Sequence, residues 1–230
     1  KSNYAEEFLH LLAPQPQWSV LDVGCGAGTL AIPLSPLVQQ VTAIDFSETM
    51  IALLNAQCAE QGLGNIRTSL TGWEDDWDLA GIGEHDVAIA SRSLVVDDLR
   101  TALAKLHSKA RHQVYITSLV GDGPFDRRIF EAIGRDLDRG PDYIYVYNLL
   151  HQMGIHAEVR FVLNGGGTKV FVDIDDAVEK FHWMLDSVNA EEEARLRTYF
   201  ERHLRKTQGG WTLAYQHTVR WAVISWSKEP

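Results

Sequence analysis

The sequence has few cysteines and no long apolar run. Its only cysteines are Cys25 and Cys58, too few for a disulfide framework or a cysteine-rich zinc site. This usage fits a reducing compartment, so we expect a cytoplasmic protein. No apolar run approaches the roughly 20 residues that a membrane-spanning helix needs, and residues 1–10 do not resemble a signal peptide. We therefore expect no membrane association.

Positive charge is also scarce. The chain has 21 Lys and Arg against 31 Asp and Glu, a net charge of −10. A field of this sign repels phosphate backbones and disfavours broad nucleic-acid binding. His182 and His203 have no partners at a metal-ligand spacing, so we predict no metal site. The tryptophans of the carboxyl third suit a core or a subunit interface equally, which leaves monomer and homodimer open.

The first 120 residues alternate short apolar runs with amphipathic stretches. This alternation is typical of an α/β protein whose parallel sheet is covered by helices on both faces, and right-handed crossovers make such a sheet doubly wound. At 230 residues, 45% of them hydrophobic, the chain can bury a sizeable core. The predicted strands are residues 19–23, 40–44, 66–70, 86–90 and 113–118, and the predicted helices are 29–37, 48–61 and 97–109.

Past residue 118 the pattern changes and turn signals become frequent. Pro141 and Gly154 predict the start and the end of a helix, although several residues between them favour strands. Alternation predicts late strands at 157–163 and 219–226. A charged stretch at 175–205 is predicted to be helical.

A buried strand runs directly into three alternate glycines in the sequence VLDVGCGAG, residues 20–28. Glycine lets backbone N–H groups approach a ligand at the start of a helix. The spacing differs from the dinucleotide fingerprint G-x-G-x-x-G, and Asp22 precedes the first glycine by two residues. A carboxylate about 4 Å from a pyrophosphate costs on the order of 4 kcal/mol at a typical effective dielectric constant, but it attracts an ammonium group. The motif therefore indicates a partly cationic ligand and disfavours NAD.

Three motifs occur in the order and spacing of a known family. VLDVGCGAG at 20–28, VTAIDFS at 41–47 and HDVAIASRSL at 85–94 resemble the class I methyltransferases that depend on S-adenosylmethionine. The resemblance covers roughly residues 18–118. It implies a Rossmann-like, seven-stranded, mainly parallel sheet whose last strand is antiparallel. It also implies that S-adenosylmethionine lies across the carboxyl ends of the first strands and leaves as S-adenosylhomocysteine.

Carried over by position, the resemblance assigns the methionine part of the cofactor to the glycine loop. Gly24, Cys25 and Gly26 would line that part, with Asp22 near its amino group. Asp45 ends the second predicted strand, where the family's carboxylate accepts hydrogen bonds from the two ribose hydroxyls. These residues are the core of the expected cofactor site.

The adenine is assigned to residues that follow the second and third strands. Phe46 and Met50 would contact its apolar face and edge. After the third strand this chain departs from the acidic residue that many family members carry. We expect the Trp73 backbone N–H to contact a ring nitrogen, and Glu74 or Asp75 to accept a hydrogen bond from the amino group.

Residues after the fourth strand, and one residue near the amino end, complete the expected site. Ser91 and Arg92 occupy the place where the family faces both cofactor and substrate. Arg92 would anchor an anion, unless it forms a surface ion pair with Asp97 or Asp98. Tyr4 would fold over the cofactor's carboxylate, as the amino segment does in similar enzymes.

Tyr143, Tyr147 and His151 share one face of the predicted helix that follows Pro141, because they are spaced four residues apart. Such a face could bind a substrate or relay a proton. Aromatic stripes at helical spacing are more often core packing. We therefore keep the three as substrate-side candidates and assign no catalytic residue.

The resemblance implies an enzyme that transfers a methyl group to a small-molecule acceptor by in-line displacement. We expect one domain over residues 1–230, with a cofactor-binding core at 1–118 and a substrate-capping insertion at 119–163. One alternative is a non-catalytic, regulatory protein that binds S-adenosylmethionine. Protein or RNA methylation is another alternative, as is an NAD-linked oxidoreductase. The acceptor, the need for a base and the pathway are left open.

Overall fold

The computed structural model describes residues 4–138, 140, 142–164 and 169–228. The chain divides into two compact units. The larger is called here the sheet unit, and it comprises residues 3–119, 141–162 and 221–230. The smaller is called the small unit, and it comprises residues 1–2, 120–140 and 163–220. No helix within the described ranges is long and apolar enough to cross a bilayer.

The strands and helices of the described residues are numbered in chain order. The strands are β1 (Ser19–Val23), β2 (Gln40–Asp45), β3 (Ile66–Leu70), β4 (His85–Ser91), β5 (Ala110–Leu119), β6 (Glu158–Asn164), β7 (Val170–Phe171), β8 (Leu204–Thr207), β9 (Gly210–Leu213) and β10 (Val219–Ser227). The helices are α1 (Tyr4–Leu12), α2 (Ala31–Leu34), α3 (Glu48–Gln61), α4 (Leu99–Ser108), α5 (Arg127–Ile133), α6 (Tyr143–Gln152), α7 (Ile174–Phe181) and α8 (Ala190–His203).

The sheet unit is built on seven strands in the order β3-β2-β1-β4-β5-β10-β6. Strands β1 to β5 pair in parallel, whereas β10 runs antiparallel to β5, with Trp221 opposite Leu119. The doubly wound sheet with an antiparallel last strand is therefore confirmed. Because the first strands are parallel, the carboxyl ends of β1, β2 and β4 meet at one edge of the sheet.

Local sequence explains why these elements begin and end where they do. The side chain of Ser47 accepts a hydrogen bond from the Met50 N–H and caps α3, which ends at Gly62 with a left-handed φ of 67°. Pro33 and Pro36 lack N–H donors, and the helix predicted at 29–37 is correspondingly a short α-helix followed by a 3₁₀ turn. The predicted helix after Pro141 is α6, despite its strand-forming residues.

The charged stretch at 175–205 is not one helix. It forms α7 and α8, separated by a 3₁₀ turn and by Asp186 with a φ of 51°, and its last two residues belong to β8. The small unit also contains a three-stranded sheet in the order β7-β9-β8. Its strands have two to four residues each. Strands of this length show no clear alternation of apolar and polar residues, so the sequence does not predict them.

The segment expected to form one substrate-capping insertion is divided between the two units. Residues 120–140 belong to the small unit, and residues 141–162 belong to the sheet unit. Within the sheet unit, α6 packs against β5 and α4. That any part of 119–163 covers a substrate stays a prediction.

The small unit has its own hydrophobic core. The tilted rings of Phe181 and Phe200 pack with centroids 5.2 Å apart, and the Phe171 ring lies 5.9 Å from that of Phe181. A buried polar network lies in the same unit, where the Asp126 carboxylate accepts a hydrogen bond from the Tyr215 hydroxyl at 2.9 Å.

We expect Phe200→Ala to lower the free energy of unfolding by about 3–5 kcal/mol, because this fully buried ring would leave a cavity. The matched control is Phe46→Ala, whose side chain is 80% exposed and whose effect should stay within about 0.5 kcal/mol. Urea denaturation measures both. Similar losses in the two variants would contradict the packing described for the small unit.

Candidate functional site

The loop between β1 and α2 contains three glycines with left-handed backbone angles. Gly24 and Gly28 have φ values of 68° and 93°. An added Cβ would lie 2.2 Å from the Ser93 Cβ at Gly24 and 2.6 Å from the Leu54 Cδ1 at Gly28. At Gly26 nothing lies within 4 Å of such an atom. Gly24 and Gly28 are therefore required for packing, whereas Gly26 presents its backbone to open space.

Two buried carboxylates flank this loop, and they differ in their hydrogen-bond partners. Asp45 is buried, and its Oδ2 accepts from the Gly26 N–H at 2.8 Å while its Oδ1 accepts from the Ser47 N–H at 2.9 Å. Asp22 is only 2% exposed, and its Oδ2 has no hydrogen-bond partner among the described residues. A buried polar atom without a partner is costly. Its presence here indicates a site for a ligand donor.

The pKa of the Asp22 carboxyl reflects this environment. Burial raises it from the ordinary value to about 7, and the nearby Asp45 charge adds to the increase. The backbone N–H of Ala31 offsets part of the shift. Burial likewise raises the pKa of the Cys25 thiol, with Asp22 contributing. A ligand ammonium group next to Asp22 would favour its ionised form.

A cleft follows the carboxyl edge of the sheet and consists of two adjoining cavities. The inner cavity, of about 310 Å³, is lined by Asp22, Gly24, Cys25, Gly26, Thr29, Leu30, Ser91 and Arg92. The outer cavity, of about 490 Å³, is lined by Val23, Gly24, Asp45, Phe46, Thr71, Gly72, Trp73, Glu74, Arg92, Ser93 and Val95. Both cavities share Gly24 and Arg92. Most of the predicted cofactor residues therefore line one continuous cleft.

The loop after β3 forms one wall of the outer cavity, and Lys105 of α4 holds it in place. The Lys105 Nζ donates to the carbonyl oxygens of Trp73 at 2.6 Å and Asp75 at 2.7 Å, and the Trp73 indole N–H donates to the Ser93 carbonyl at 2.8 Å. The Asp75 carboxylate accepts from the Gly72 N–H at 2.7 Å. Of the two acids predicted to face an adenine, Asp75 is thus engaged in the loop, and Glu74 lines the cavity.

Two predicted cofactor residues, Met50 and Tyr4, do not line the cleft. Met50 is on α3 and is not among the lining residues of either cavity. Tyr4 is 2% exposed, and its hydroxyl forms hydrogen bonds with the Ser91 Oγ at 2.6 Å and the Thr117 Oγ1 at 3.2 Å. Through the bond to Ser91, Tyr4 supports the end of β4. Direct contact between Tyr4 and a cofactor stays a prediction.

The substrate-side candidates on α6 are not brought to the glycine loop. None of Tyr143, Tyr147 and His151 lines the inner or the outer cavity. The Tyr143 ring packs edge-on against Phe161 at 5.4 Å, and the exposed His151 ring lies 6.1 Å from the His156 ring. The packing of Tyr143 fits the interpretation of this stripe as structural.

Arg92 is on the cleft but does not form the ion pair considered as an alternative. In the part of the chain that the structure describes, no carboxylate pairs with it, Asp97 and Asp98 included. Its guanidinium carbon lies 4.4 Å from the centre of the Tyr4 ring and 5.8 Å from that of Trp221. These aromatic neighbours come from opposite ends of the chain, and no sequence spacing near residue 92 pointed to them.

Sequence reasoning also missed several lining residues. Thr71 and Val95 follow β3 and β4 and line the outer cavity. The rule that ligands bind beyond the carboxyl ends of parallel strands could have found Thr71. Thr29 and Leu30 line the inner cavity, and only the fold of the loop brings them there. No three His, Cys, Asp or Glu side chains in the described ranges are placed to bind a metal ion.

Comparison with known proteins gives similarities in sequence and in fold. A family described as "Methyltransferase domain" matches residues 20–113. An uncharacterized protein of Haemophilus influenzae is 33% identical over 226 residues, which cover 98% of this chain and 82% of that relative. The YcgJ protein of Bacillus subtilis superposes with a TM-score of 0.65 at 14% identity, over 98% of both chains.

A further solved structure contains a ligand. Magnesium protoporphyrin IX methyltransferase from Synechocystis PCC 6803, crystallised with bound S-adenosylhomocysteine, superposes with a TM-score of 0.58 at 14% identity. The superposition covers 99% of this chain and 82% of that chain. At such identities the two structural likenesses concern the fold.

We expect Asp22→Asn to raise the melting temperature at pH 8. The folded-state pKa of Asp22 is near 7, above that of an unfolded Asp near ~3.9, so ionised Asp22 destabilises the native state above neutral pH. The advantage of the variant should therefore be largest above pH 7 and disappear towards pH 4. Thermal denaturation between these pH values measures it.

The matched control is Asp97→Asn, which removes an exposed carboxylate that lines neither cavity. Its melting temperature should differ from the wild type by an amount that does not grow between pH 4 and pH 8. A wild type that is more stable than Asp22→Asn at pH 8 would contradict the burial of Asp22 without a partner.

Proposed function

Because the chain belongs to the class I methyltransferases that depend on S-adenosylmethionine, we propose that it methylates a small-molecule acceptor by in-line displacement. The observation that carries the proposal is the buried Asp22 carboxyl at the glycine loop. Its Oδ2 finds no hydrogen-bond donor in the described part of the chain. A ligand that carries an ammonium group at this point would satisfy it.

The residues of the cleft fit this cofactor. Asp22 would accept from its amino group, and Gly26 lines the same cavity. Asp45 has lone pairs beyond those that accept from Gly26 and Ser47, and these would accept from the ribose hydroxyls. Phe46, which is 80% exposed, would cover the adenine. S-adenosylmethionine supplies a methyl group that is already activated on a sulfonium.

The remaining adenine contacts would come from the loop after β3. Lys105 fixes the backbone of Trp73 and Asp75, which keeps this loop in one conformation. The Trp73 backbone N–H and the Glu74 carboxylate would bind the edge of the base. Met50 would approach the same edge from α3. Each of these contacts is part of the proposal.

An NAD-linked reaction fits the same cleft poorly. Its pyrophosphate would lie at the glycine loop, where Asp22 is buried with Asp45 close enough to raise its pKa. At about 4 Å, a carboxylate and a phosphate charge repel by on the order of 4 kcal/mol at a typical effective dielectric constant. The two carboxylates favour a cationic ligand instead.

The chain contributes mainly alignment and exclusion of water. Proximity and orientation can lower a barrier by roughly 7–11 kcal/mol when donor and acceptor are fixed in line. Neither cavity has a histidine among its lining residues, and we assign no general base. No general base is needed when the acceptor atom retains its proton during methyl transfer or has lost that proton beforehand.

Two considerations support a small-molecule acceptor. The net charge of −10 opposes the long-range attraction on which most nucleic-acid binding depends. One structural neighbour is named for magnesium protoporphyrin IX, which is a small molecule. A protein that binds the cofactor without turnover would retain the same cleft, so binding and turnover must be measured separately.

Titration calorimetry with S-adenosylhomocysteine and with NAD tests the cofactor. We expect the former to bind and NAD not to bind. Asp45→Ala should weaken binding by about 10–100-fold, since hydrogen bonds to a charged group contribute about 1.5–3 kcal/mol. Glu48→Ala removes an exposed carboxylate three residues away and should leave the affinity unchanged.

Turnover is followed as S-adenosylhomocysteine release from S-adenosylmethionine, with pooled metabolites and with RNA as separate acceptors. We expect release with a metabolite fraction only. Release with RNA would reject the small-molecule acceptor, and binding without any release would favour the non-catalytic alternative. Tight NAD binding would reject the methyltransferase proposal.

A further inference from the structure

We propose that the acceptor carries an anionic group, a carboxylate or a phosphate, and that Arg92 binds it. The inference rests on the proposed function and concerns the same cleft. It deepens that function by naming the chemical class of the acceptor.

The backbone at Arg92 adopts a conformation that disfavours ordinary side chains. Its φ is 58°, in the left-handed region, which costs free energy for any residue with a Cβ. The Arg92 N–H donates to the Thr117 Oγ1 at 2.8 Å, and the neighbouring Ser91 is hydrogen-bonded to Tyr4. Strained residues that the surrounding structure over-determines cluster at functional sites. Here the strained backbone at residue 92 sets the direction of the exposed Arg92 side chain.

The guanidinium is supported by aromatic rings and not by a carboxylate. It lies over Tyr4 at 4.4 Å and near Trp221 at 5.8 Å, distances at which an aromatic face attracts a cation. Across the described ranges no acid forms an ion pair with it, although the chain has ten more acids than Lys and Arg. Such a side chain keeps its planar set of donors available for an oxyanion.

The aromatic support of the guanidinium comes from other elements than those that carry Asp22 and Asp45. Asp45 ends β2, and Asp22 is on the neighbouring strand β1. The rings beneath Arg92 come from α1 and from Trp221 of β10, which pairs with β5. In the order β1-β4-β5-β10, β10 is three strands beyond β1, and neighbouring strands are about 4.8 Å apart. Arg92 lines both cavities of the cleft, and we assign its guanidinium to the acceptor.

Guanidinium groups bind carboxylates and phosphates through two parallel N–H donors. An acceptor with either group would be oriented at one end, with its nucleophilic atom directed towards the inner cavity, of which Arg92 is a wall. In a protein of net charge −10, such a local cation also separates anionic acceptors from neutral ones. Arg92 would thus favour anionic acceptors, which the net negative charge of the protein disfavours.

The test measures anion binding to the complex with S-adenosylhomocysteine. Inorganic phosphate and benzoate are titrated at low ionic strength into wild type, Arg92→Met and Arg92→Lys. We expect Arg92→Met to weaken binding of at least one probe by about tenfold or more, and Arg92→Lys to weaken it less. Both variants keep a Cβ and hence the same backbone demand, so neither relieves the strain at residue 92.

The matched control is Arg100→Met on α4, where Arg100 bonds only weakly to Gln152. It changes the net charge equally and should leave anion binding unchanged. Equal anion binding in wild type and Arg92→Met would overturn the inference while leaving the cofactor site intact. So would a loss of S-adenosylhomocysteine affinity in Arg92→Met as large as that in Asp45→Ala, since Arg92 would then serve the cofactor.

A wild type that binds no S-adenosylhomocysteine would reject the proposed function, and this inference with it. Once an acceptor is found by turnover, a second readout separates positioning from chemistry. Arg92→Met should raise KM for the anionic acceptor by about tenfold or more and change kcat less. The neutral amide of the same acceptor should have a KM that does not depend on Arg92.

Discussion

The burial of one carboxyl group beside another is the constraint on which the cleft depends. Removing Asp22 from water raises its pKa to about 7, and the charge of Asp45 reinforces that shift. Within the described residues its Oδ2 accepts no hydrogen bond. A folded protein tolerates such a group when function requires it, because the cost is repaid on binding a cation. Of the glycines around it, Gly24 and Gly28 allow close packing, and Gly26 leaves open space beside the backbone.

The rest of the sheet unit places groups of different character along one edge. Parallel pairing of β1, β2 and β4 brings the ends of three strands together, so that Asp22, Asp45 and Arg92 line adjoining cavities although they are far apart in sequence. Antiparallel β10 then adds Trp221 beneath Arg92. Acidic groups and one cation, unpaired among the described residues, thus line the same cleft. This combination of charges suits a cationic cofactor and an anionic acceptor.

Periodicity and turn chemistry predicted most of the sheet unit from sequence. β1, β3 and α3 have the predicted bounds, because their apolar runs and the Ser47 and Gly62 caps are local signals. The site residues at the glycine loop followed from a motif. What could not be predicted depends on distant packing: the burial of Asp22 without a partner, and the support of Arg92 by Tyr4 and Trp221. The three-stranded sheet of the small unit was not predicted, because its strands are too short to show an alternation of apolar and polar residues.

The most direct test of the central claim counts protons released when S-adenosylhomocysteine binds, by calorimetry in buffers of different ionisation enthalpy. If Asp22 is the counter-charge to the ligand's ammonium, binding ionises it. Since its pKa in the free protein is about 7, wild type should release about one proton per ligand at pH 6 and almost none at pH 8. Asp22→Asn should release none at either pH. Equal release by the two proteins at pH 6, or none by wild type, would contradict the account.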